Sequence, residues 1–420
     1  MRIGYNGADM EEQELNLLGG YGAWAAEVAG RTGRLSFAKV MKSGRIRLAE
    51  WKKQGRAVVR ELLEPPAAEE GRAVRAQTVR SYSFDGLDVE ELSWQLPFGP
   101  PTEAVFLKPE GAQGPLPGVL ALHDHGGIKY FGRRKITRTA QETHPFLRAH
   151  QEHYYGGAAW ANELARRGYG VLAHDVLPFG SRRILAADVP AHVADRLMAA
   201  PEAVRELSFE GLKPAESRAE LDVPPDEPAE RLARYEAFAG RHEEVLARSL
   251  FALGTTFPGV VLAEDLAALG VLAARTDVDP DRLGCCGLSG GGLCACLLAG
   301  LDDSIDCAVT AGFLSTWKDF ALYSGFTHTW ALFVPRLARQ LDFPEVLGLR
   351  VPLPSLVLAC EQDPLFHRKE SLRAGAMLEE IYRQAGAAEN LRVSRYPGEH
   401  RFSRDMQAEA FAWLDRWLGA

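Results

Sequence analysis

The sequence lacks any uninterrupted apolar run of about 18 residues, so we expect no transmembrane helix and no membrane partner. Residues 1–16 contain acidic side chains and lack the apolar stretch of a secretory signal, which predicts a cytoplasmic protein. No internal repeat is evident, which argues against a repeat architecture. These absences favour a globular protein without a targeting segment.

Basic residues are also in deficit. The chain has 48 Lys and Arg against 56 Asp and Glu, a formal net charge of -8. A nucleic-acid-binding protein usually shows a clustered basic face, so we expect no nucleic-acid partner. The 420 residues, 46% hydrophobic and 25% charged, are typical of a globular protein with one large α/β domain plus additions, or with two domains.

Cysteine is sparse, with six residues in the whole chain. All six lie in apolar or small-residue segments, where free cysteine commonly behaves as a small buried hydrophobe. Their spacing does not match a metal site, and a cytoplasmic location predicts reduced thiols. We therefore expect neither disulfides nor a cysteine metal site, and no cofactor.

The most informative motif is G-x-S-x-G at 287–291, with Ser289 at its centre. An apolar run at 283–286 predicts a buried strand before it, and small residues at 293–298 predict a helix after it. A serine on a sharp turn from strand to helix exposes its hydroxyl, and flanking glycines permit the turn. This context predicts a nucleophile elbow; the alternative is a glycine-rich turn.

An acid and a base follow Ser289 along the chain. A predicted strand at 354–360 is followed by Glu361 and Asp363, and a second at 391–396 is followed by His400. A serine hydroxyl needs an imidazole to take its proton, and that imidazole needs a carboxylate to orient it. Loops that follow parallel strands meet at one sheet edge. We therefore expect Ser289, Asp363 and His400 to form a catalytic triad, with Glu361 as the competing acid.

These motifs resemble the dienelactone hydrolase-like and acetyl xylan esterase-like serine hydrolases of the α/β-hydrolase superfamily. The resemblance covers roughly residues 80 to 420. The order serine, acid, histidine along this chain is similar to that of the family. Dienelactone hydrolase itself has cysteine where this chain has Ser289, which favours ordinary ester hydrolysis. The segments that carry the resemblance are LPGVLALHDHGG at 116–127, HDVLPFGSR at 174–182, DVDPDRLGCCGLSGGG at 277–292, EQDPLF at 361–366 and YPGEHRF at 396–402.

The resemblance also implies an oxyanion hole made of two backbone amides. Gly290, directly after the proposed nucleophile, would supply one. The loop at 123–127 resembles an H-G-x-G-G loop with Asp124 in place of the first glycine, so His125 would supply the other amide, with Gly126 as the alternative. His123, Asp124 and His125 could instead be part of a metal site, but a third and fourth ligand cannot be named.

Further residues are predicted at the rim of the site. His328 and Trp330 are expected to bind substrate, with packing as the alternative. The basic loop that contains Lys129, Arg133 and Arg134 is either solvated or recognises an anionic group.

Domain organisation follows from the patterning. Residues 1–79 are predicted to be an N-terminal helical extension, with helices at 21–29 and 37–63, that caps the sheet, mediates a homodimer contact or gates substrate. Residues 80–420 are predicted to be an α/β-hydrolase domain with a mostly parallel central sheet and helices on both faces. A charged insertion at about 183–250, including 214–230, is either a helical lid or a solvated excursion.

The predicted function is a serine carboxylic ester hydrolase that passes through an acyl-enzyme. By resemblance alone, its substrate is a small or sugar-linked ester such as an acetylated sugar. The alternatives are a peptidase or amidase with the same triad, and a non-catalytic ligand-binding protein on a hydrolase fold.

Overall fold

The computed structural model describes residues 16–44, 47–67, 74–199, 221–224 and 226–419. Within these described ranges, nine strands form one sheet in the order β1-β2-β3-β5-β4-β6-β7-β8-β9. The strands are β1 Gln77–Phe84, β2 Leu87–Trp94, β3 Thr102–Pro109, β4 Leu116–Leu122, β5 Gly170–His174, β6 Val278–Leu288, β7 Cys307–Ala311, β8 Ser355–Cys360 and β9 Leu391–Tyr396.

Two kinds of pairing make up this sheet. The pairs β1/β2, β2/β3 and β3/β5 are antiparallel, and every pair from β5 through β4 to β9 is parallel. The mostly parallel α/β sheet predicted from the sequence is confirmed. The loops that follow β4, β6, β7, β8 and β9 therefore open at the same edge, which is where a parallel sheet holds its site.

Helices cover both faces of the sheet. They are α1 Gly22–Ala29, α2 Phe37–Ser43, α3 Leu48–Leu63, α4 Pro145–Tyr155, α5 Trp160–Ala165, α6 Ala191–Met198, α7 Ala229–Ala252, α8 Phe257–Ala273, α9 Gly290–Leu301, α10 Phe343–Gly348, α11 Arg368–Gln384 and α12 Arg404–Leu418. A short turn at Trp317–Asp319 continues into a π-helical turn at Phe320–Ser324.

Alternation along the strands divides the core between the two faces. Cys285 packs with the face covered by α3, α8 and α9, whereas the next residue, Cys286, packs with the face covered by α5 and α12. Consecutive strand residues point to opposite faces, and both faces are apolar because helices cover both. All six cysteines are free, and five of them are buried.

The N-terminal helices pack onto this core. The predicted continuous helix at 37–63 is wrong, because α2 ends at Ser43 and Gly44 follows with a φ of 63°, a left-handed conformation that breaks a helix. In α3, Trp51 is fully buried and donates from its indole Nε1 to the carbonyl of Leu35 at 2.7 Å. In α1, Trp24 remains 62% exposed. The domain boundary at residue 79 and the homodimer contact stay predictions.

The insertion between β5 and β6 contains α6 and α7, and positions 214–220 and 225 of the stretch at 214–230 lie outside the described residues. Helix α7 buries one side, including Tyr235, Phe238 and Glu243. Within the described ranges, no single helix is both long and apolar enough to cross a membrane. Helices α7 and α8, which meet at a bend of 89°, are long and apolar enough only when they are taken together.

Candidate active site

The motif at 287–291 forms a sharp turn between β6 and α9. Ser289 has φ 58° and ψ -116°, which is uncommon for a residue with a side chain, and its amide donates to the carbonyl of Ala311 at 2.9 Å. A Cβ atom on Gly291 would lie 2.3 Å from the carbonyl oxygen of Leu122, so only glycine fits there. Ser289 thus stands at the N-terminus of a 12-residue helix, where partial positive charge favours developing negative charge.

Asp363 and His400 meet after β8 and β9. The distance from His400 Nδ1 to Asp363 Oδ2 is 2.6 Å, and the other Asp363 oxygen accepts from the Leu365 amide at 3.0 Å. Both side chains are buried, whereas Glu361 is exposed. A carboxylate at Nδ1 fixes the tautomer that leaves Nε2 as an acceptor. His400 Nε2 is buried and has no hydrogen-bond partner among the described residues.

One cavity brings these groups together. It has a volume of about 280 Å³, and its walls include Ser289, Gly290, His125 and His400. Gly312, after β7, packs against the base: a Cβ atom there would lie 3.0 Å from His400 Cε1. The remaining walls are mostly uncharged side chains, including Tyr154, Leu293, Phe313, Thr327, His328, Thr329, Leu332, Leu365 and Phe366.

The loop after β4 lies directly against the start of α9. A Cβ atom built on Gly290 would lie 3.0 Å from the backbone nitrogen of His125. The two residues assigned to the oxyanion hole are therefore neighbours at one end of the Ser289 cavity. Such a pair of amides can stabilise a negative oxygen because its dipoles are fixed before the reaction begins.

Asp124, the second residue of the loop at 123–127, is fully buried. Its carboxylate accepts from Tyr155 Oη and from His150 Nε2, the latter at 3.1 Å. Burial alone would raise the pKa of Asp124, but His150 and Lys135 hold it well below its usual range. Lys135 also donates to the carbonyls of Asp124 and His125 at 2.7 and 2.8 Å. Asp124 thus supplies a charged anchor for the loop.

The basic residues that follow this loop are engaged in ion pairs. Lys129 Nζ lies 2.7 Å from Glu243 Oε2, and Arg134 Nη2 lies 3.0 Å from Glu227 Oε2. Arg133 pairs with the buried Asp175 and with Glu103. These contacts hold the loop against β5 and the insertion, so recognition of an anionic substrate by these cations is not supported.

The two predicted substrate-binding residues differ in their placement. His328 lines the cavity, its Nε2 lies 2.8 Å from the carbonyl of Leu365, and burial lowers its pKa to about 4. Trp330 is absent from the described cavity walls, and its indole packs against Phe333. The alternative of packing is therefore favoured for Trp330.

His123 and His125 each contact a different protein group, and they do not share a metal site in the described part of the chain. His123 Nδ1 lies 3.0 Å from the carbonyl of Asp124, and burial lowers the His123 pKa to about 4. His125 Nε2 lies 2.9 Å from Glu243 Oε2. Within the described part of the chain, no group of three or more His, Cys, Asp or Glu side chains is arranged to hold a metal ion.

Two residues of this site were not predicted from the sequence. Glu243, on α7, reaches the oxyanion loop across 118 positions of sequence, and nothing in its local pattern indicates this. Phe366, in contrast, lies inside the EQDPLF segment that carries the family resemblance. The EQDPLF motif could therefore have indicated that Phe366 lines the cavity. The contact of Glu243 with His125 depends on tertiary packing and has no such signal in the sequence.

No protein-family model matches the sequence. The chain is 26% identical over 348 residues, 83% of its length, to 94% of a Bacillus subtilis (strain 168) protein named "Putative hydrolase YtaP".

Solved structures resemble the chain at low identity. A "putative acetyl xylan esterase" from Bacteroides fragilis NCTC 9343 has a TM-score of 0.62 at 16% identity, with 92% of this chain and 84% of that chain covered. A CE15 glucuronoyl esterase from Teredinibacter turnerae T7901 has a TM-score of 0.55 at 14% identity, with 97% and 92% covered. Together with the sheet order and the elbow, these similarities confirm the α/β-hydrolase fold predicted from the sequence.

Proposed function

We propose that this chain is a serine-dependent carboxylic ester hydrolase that acts on a small or sugar-linked ester through an acyl-enzyme. One observation carries the proposal: the His400–Asp363 pair opens onto the cavity that contains Ser289 at the start of α9. Esterases among the similar structures support the same reaction class.

Acylation uses the three side chains and the two amides. Ser289 Oγ attacks the ester carbonyl carbon while His400 Nε2 takes the hydroxyl proton, and Asp363 stabilises the resulting imidazolium. The carbonyl oxygen becomes an oxyanion held by the His125 and Gly290 amides. The C–O bond to the alcohol then breaks, and His400 returns the proton to the leaving oxygen.

Deacylation repeats the sequence with water as the nucleophile. His400 removes a proton from water, the hydroxide oxygen attacks the acyl carbon, and the bond to Ser289 Oγ breaks. The proton passes from His400 to Ser289, and the carboxylic acid leaves. The site therefore needs only its own side chains, its amides and water for this reaction.

The described cavity lining gives an anionic substrate no lysine or arginine partner. The nearby Lys129 and Arg134 are paired with carboxylates. A second, largely apolar cavity adjoins His125 and Gly290 and includes Val261 and Leu297 in its walls. We infer that it receives the acyl side of a neutral ester, while the open cavity receives the alcohol.

Hydrolysis of p-nitrophenyl esters of graded acyl length tests this function. Ser289→Ala should lower kcat by on the order of 10⁴-fold or more, since only the oxyanion amides and binding remain. The matched control, Ser304→Ala, removes an exposed serine hydroxyl and should leave turnover unchanged. Undiminished turnover by purified Ser289→Ala would overturn the proposal, and an inactive wild type would favour the binding-protein alternative.

A further inference from the structure

Glu243 is a buried carboxylate that joins three parts of the site. It belongs to α7 of the insertion and is 5% exposed. Its Oε2 accepts from His125 Nε2 at 2.9 Å and from Lys129 Nζ at 2.7 Å. Its Oε1 accepts from the Thr329 hydroxyl and from the Trp330 amide, the latter at 2.8 Å. Four donors therefore converge on one side chain from two different loops.

These contacts fix the orientation of the His125 ring. His125 Nδ1 accepts from the Gly127 amide at 3.2 Å, so Nε2 carries the proton that is donated to Glu243. Burial lowers the pKa of His125, which favours this neutral form. Because both ring nitrogens are engaged, the half-buried ring cannot rotate without losing a hydrogen bond.

The same residue supplies a proposed oxyanion donor from its backbone. The His125 amide nitrogen lies beside Gly290, and Lys135 holds the His125 carbonyl at 2.8 Å. Glu243 holds the side chain, so residue 125 is fixed at its ring and at its carbonyl. Amide donors are effective in an oxyanion hole only when their direction is set in advance.

We propose that Glu243 is a positioning residue, which aims the His125 amide at the reacting oxygen by holding the His125 imidazole. The inference rests on the proposed function, since it assigns Glu243 to the oxyanion hole of that same site. It makes α7 of the insertion part of the catalytic machinery in addition to any contact it makes with substrate.

A glutamine cannot replace this carboxylate. A side-chain amide has one oxygen and one NH₂ group, so in Glu243→Gln one half of the group would present hydrogens to donors that the carboxylate accepts from. The buried Lys129 ammonium would also lose its anionic partner. Either orientation of the amide breaks contacts on the His125 side or on the Thr329 side, which should loosen the loop.

Glu236 provides the matched control. It lies on the same helix seven residues earlier, is half-buried, and accepts from the backbone amides of Lys129 and Tyr130, each at 2.7 Å. It therefore ties the same loop to α7 without a contact to His125. A difference between Glu243→Gln and Glu236→Gln separates positioning of residue 125 from general attachment of the loop.

The test compares kcat, KM and the inhibition constant of a boronic acid, which forms a tetrahedral adduct, for Glu243→Gln and Glu236→Gln. Loss of one oxyanion donor costs about 10²-fold in kcat. For Glu243→Gln we expect kcat to fall by roughly 30- to 100-fold and the inhibition constant of the boronic acid to rise by a similar factor. Its KM should change by less than about threefold. Glu236→Gln should change kcat by less than about threefold.

His125→Ala keeps the inference testable if Glu243→Gln fails to fold, because it frees the same amide and should lower kcat by a similar factor. Where all variants fold, the double variant should lose no more kcat than the worse single variant, since both act through one contact. Equal kcat losses for Glu243→Gln and Glu236→Gln, or a wild-type kcat in His125→Ala, would overturn the inference. An active Ser289→Ala would instead overturn the proposed function.

Discussion

At the residue scale, the conformation of Ser289 links sequence to chemistry most directly. Its positive φ of 58° directs the chain from β6 into α9 within a single residue. Glycines at 287 and 291 permit the close approach of neighbouring backbone, and this requirement is readable in the sequence. The identity of the acid was open between two carboxylates, and the structure pairs Asp363 with His400.

Asp363 and Glu361 form a matched pair for a mutational test. Asp363→Asn removes the carboxylate that orients His400, so kcat should fall by about 10⁴-fold. Glu361→Gln changes an exposed side chain outside the pair and should leave kcat within about twofold. Steady-state kinetics on one p-nitrophenyl ester would decide, and a larger loss for Glu361→Gln would reassign the acid.

At the element scale, the structure revises the interpretation of the insertion. The sequence left open a lid or a solvated excursion, and charge patterning could not distinguish them. Helix α7 places Glu236 and Glu243 against the loop after β4, so it supports that loop from outside the sheet. Such contacts depend on how α7 packs in three dimensions, whereas its sequence shows only the periodicity of a helix.

A buried charge also ties the loop after β4 to helix α4. Asp124 accepts from His150 and Tyr155 of that helix, and its pKa lies well below the usual 3.8. A carboxyl group whose pKa is lowered by folding stabilises the fold above its unfolded pKa and loses that contribution as pH falls. The stabilisation should therefore be complete near pH 7 and decline below about pH 4.

Asp124→Asn tests this element contact. At pH 7 the variant should be less stable to urea by about 3 kcal/mol, because His150 and Lys135 lose a buried anionic partner. The difference in unfolding free energy between the variant and the wild type should shrink as the pH is lowered from about 4 to 3. In that range the unfolded wild type binds a proton at Asp124, so the charged carboxylate stabilises the fold less. A difference that is independent of pH across this range would contradict the assigned contact.

At the scale of the whole molecule, the parallel part of the sheet explains how distant residues meet. Ser289, Asp363 and His400 follow β6, β8 and β9, which lie in the same half of one sheet. This much was predictable, because chain order and strand patterning place loops at a common edge. The end of helix α2 before Gly44 was not predictable, because it depends on a local backbone conformation. The support of the loop after β4 by α7 was not predictable either, because it depends on packing between distant segments.

The central claim is that Ser289 is the nucleophile of a serine hydrolase. The most direct measurement is covalent labelling with a fluorophosphonate, followed by intact mass spectrometry and peptide mapping. We predict one phosphonyl adduct per wild-type chain, on the peptide that contains Ser289, and none on Ser289→Ala. His400→Ala should label much more slowly, since the base that activates the hydroxyl is gone. No adduct on wild type, or an adduct on another residue that persists in Ser289→Ala, would contradict the account.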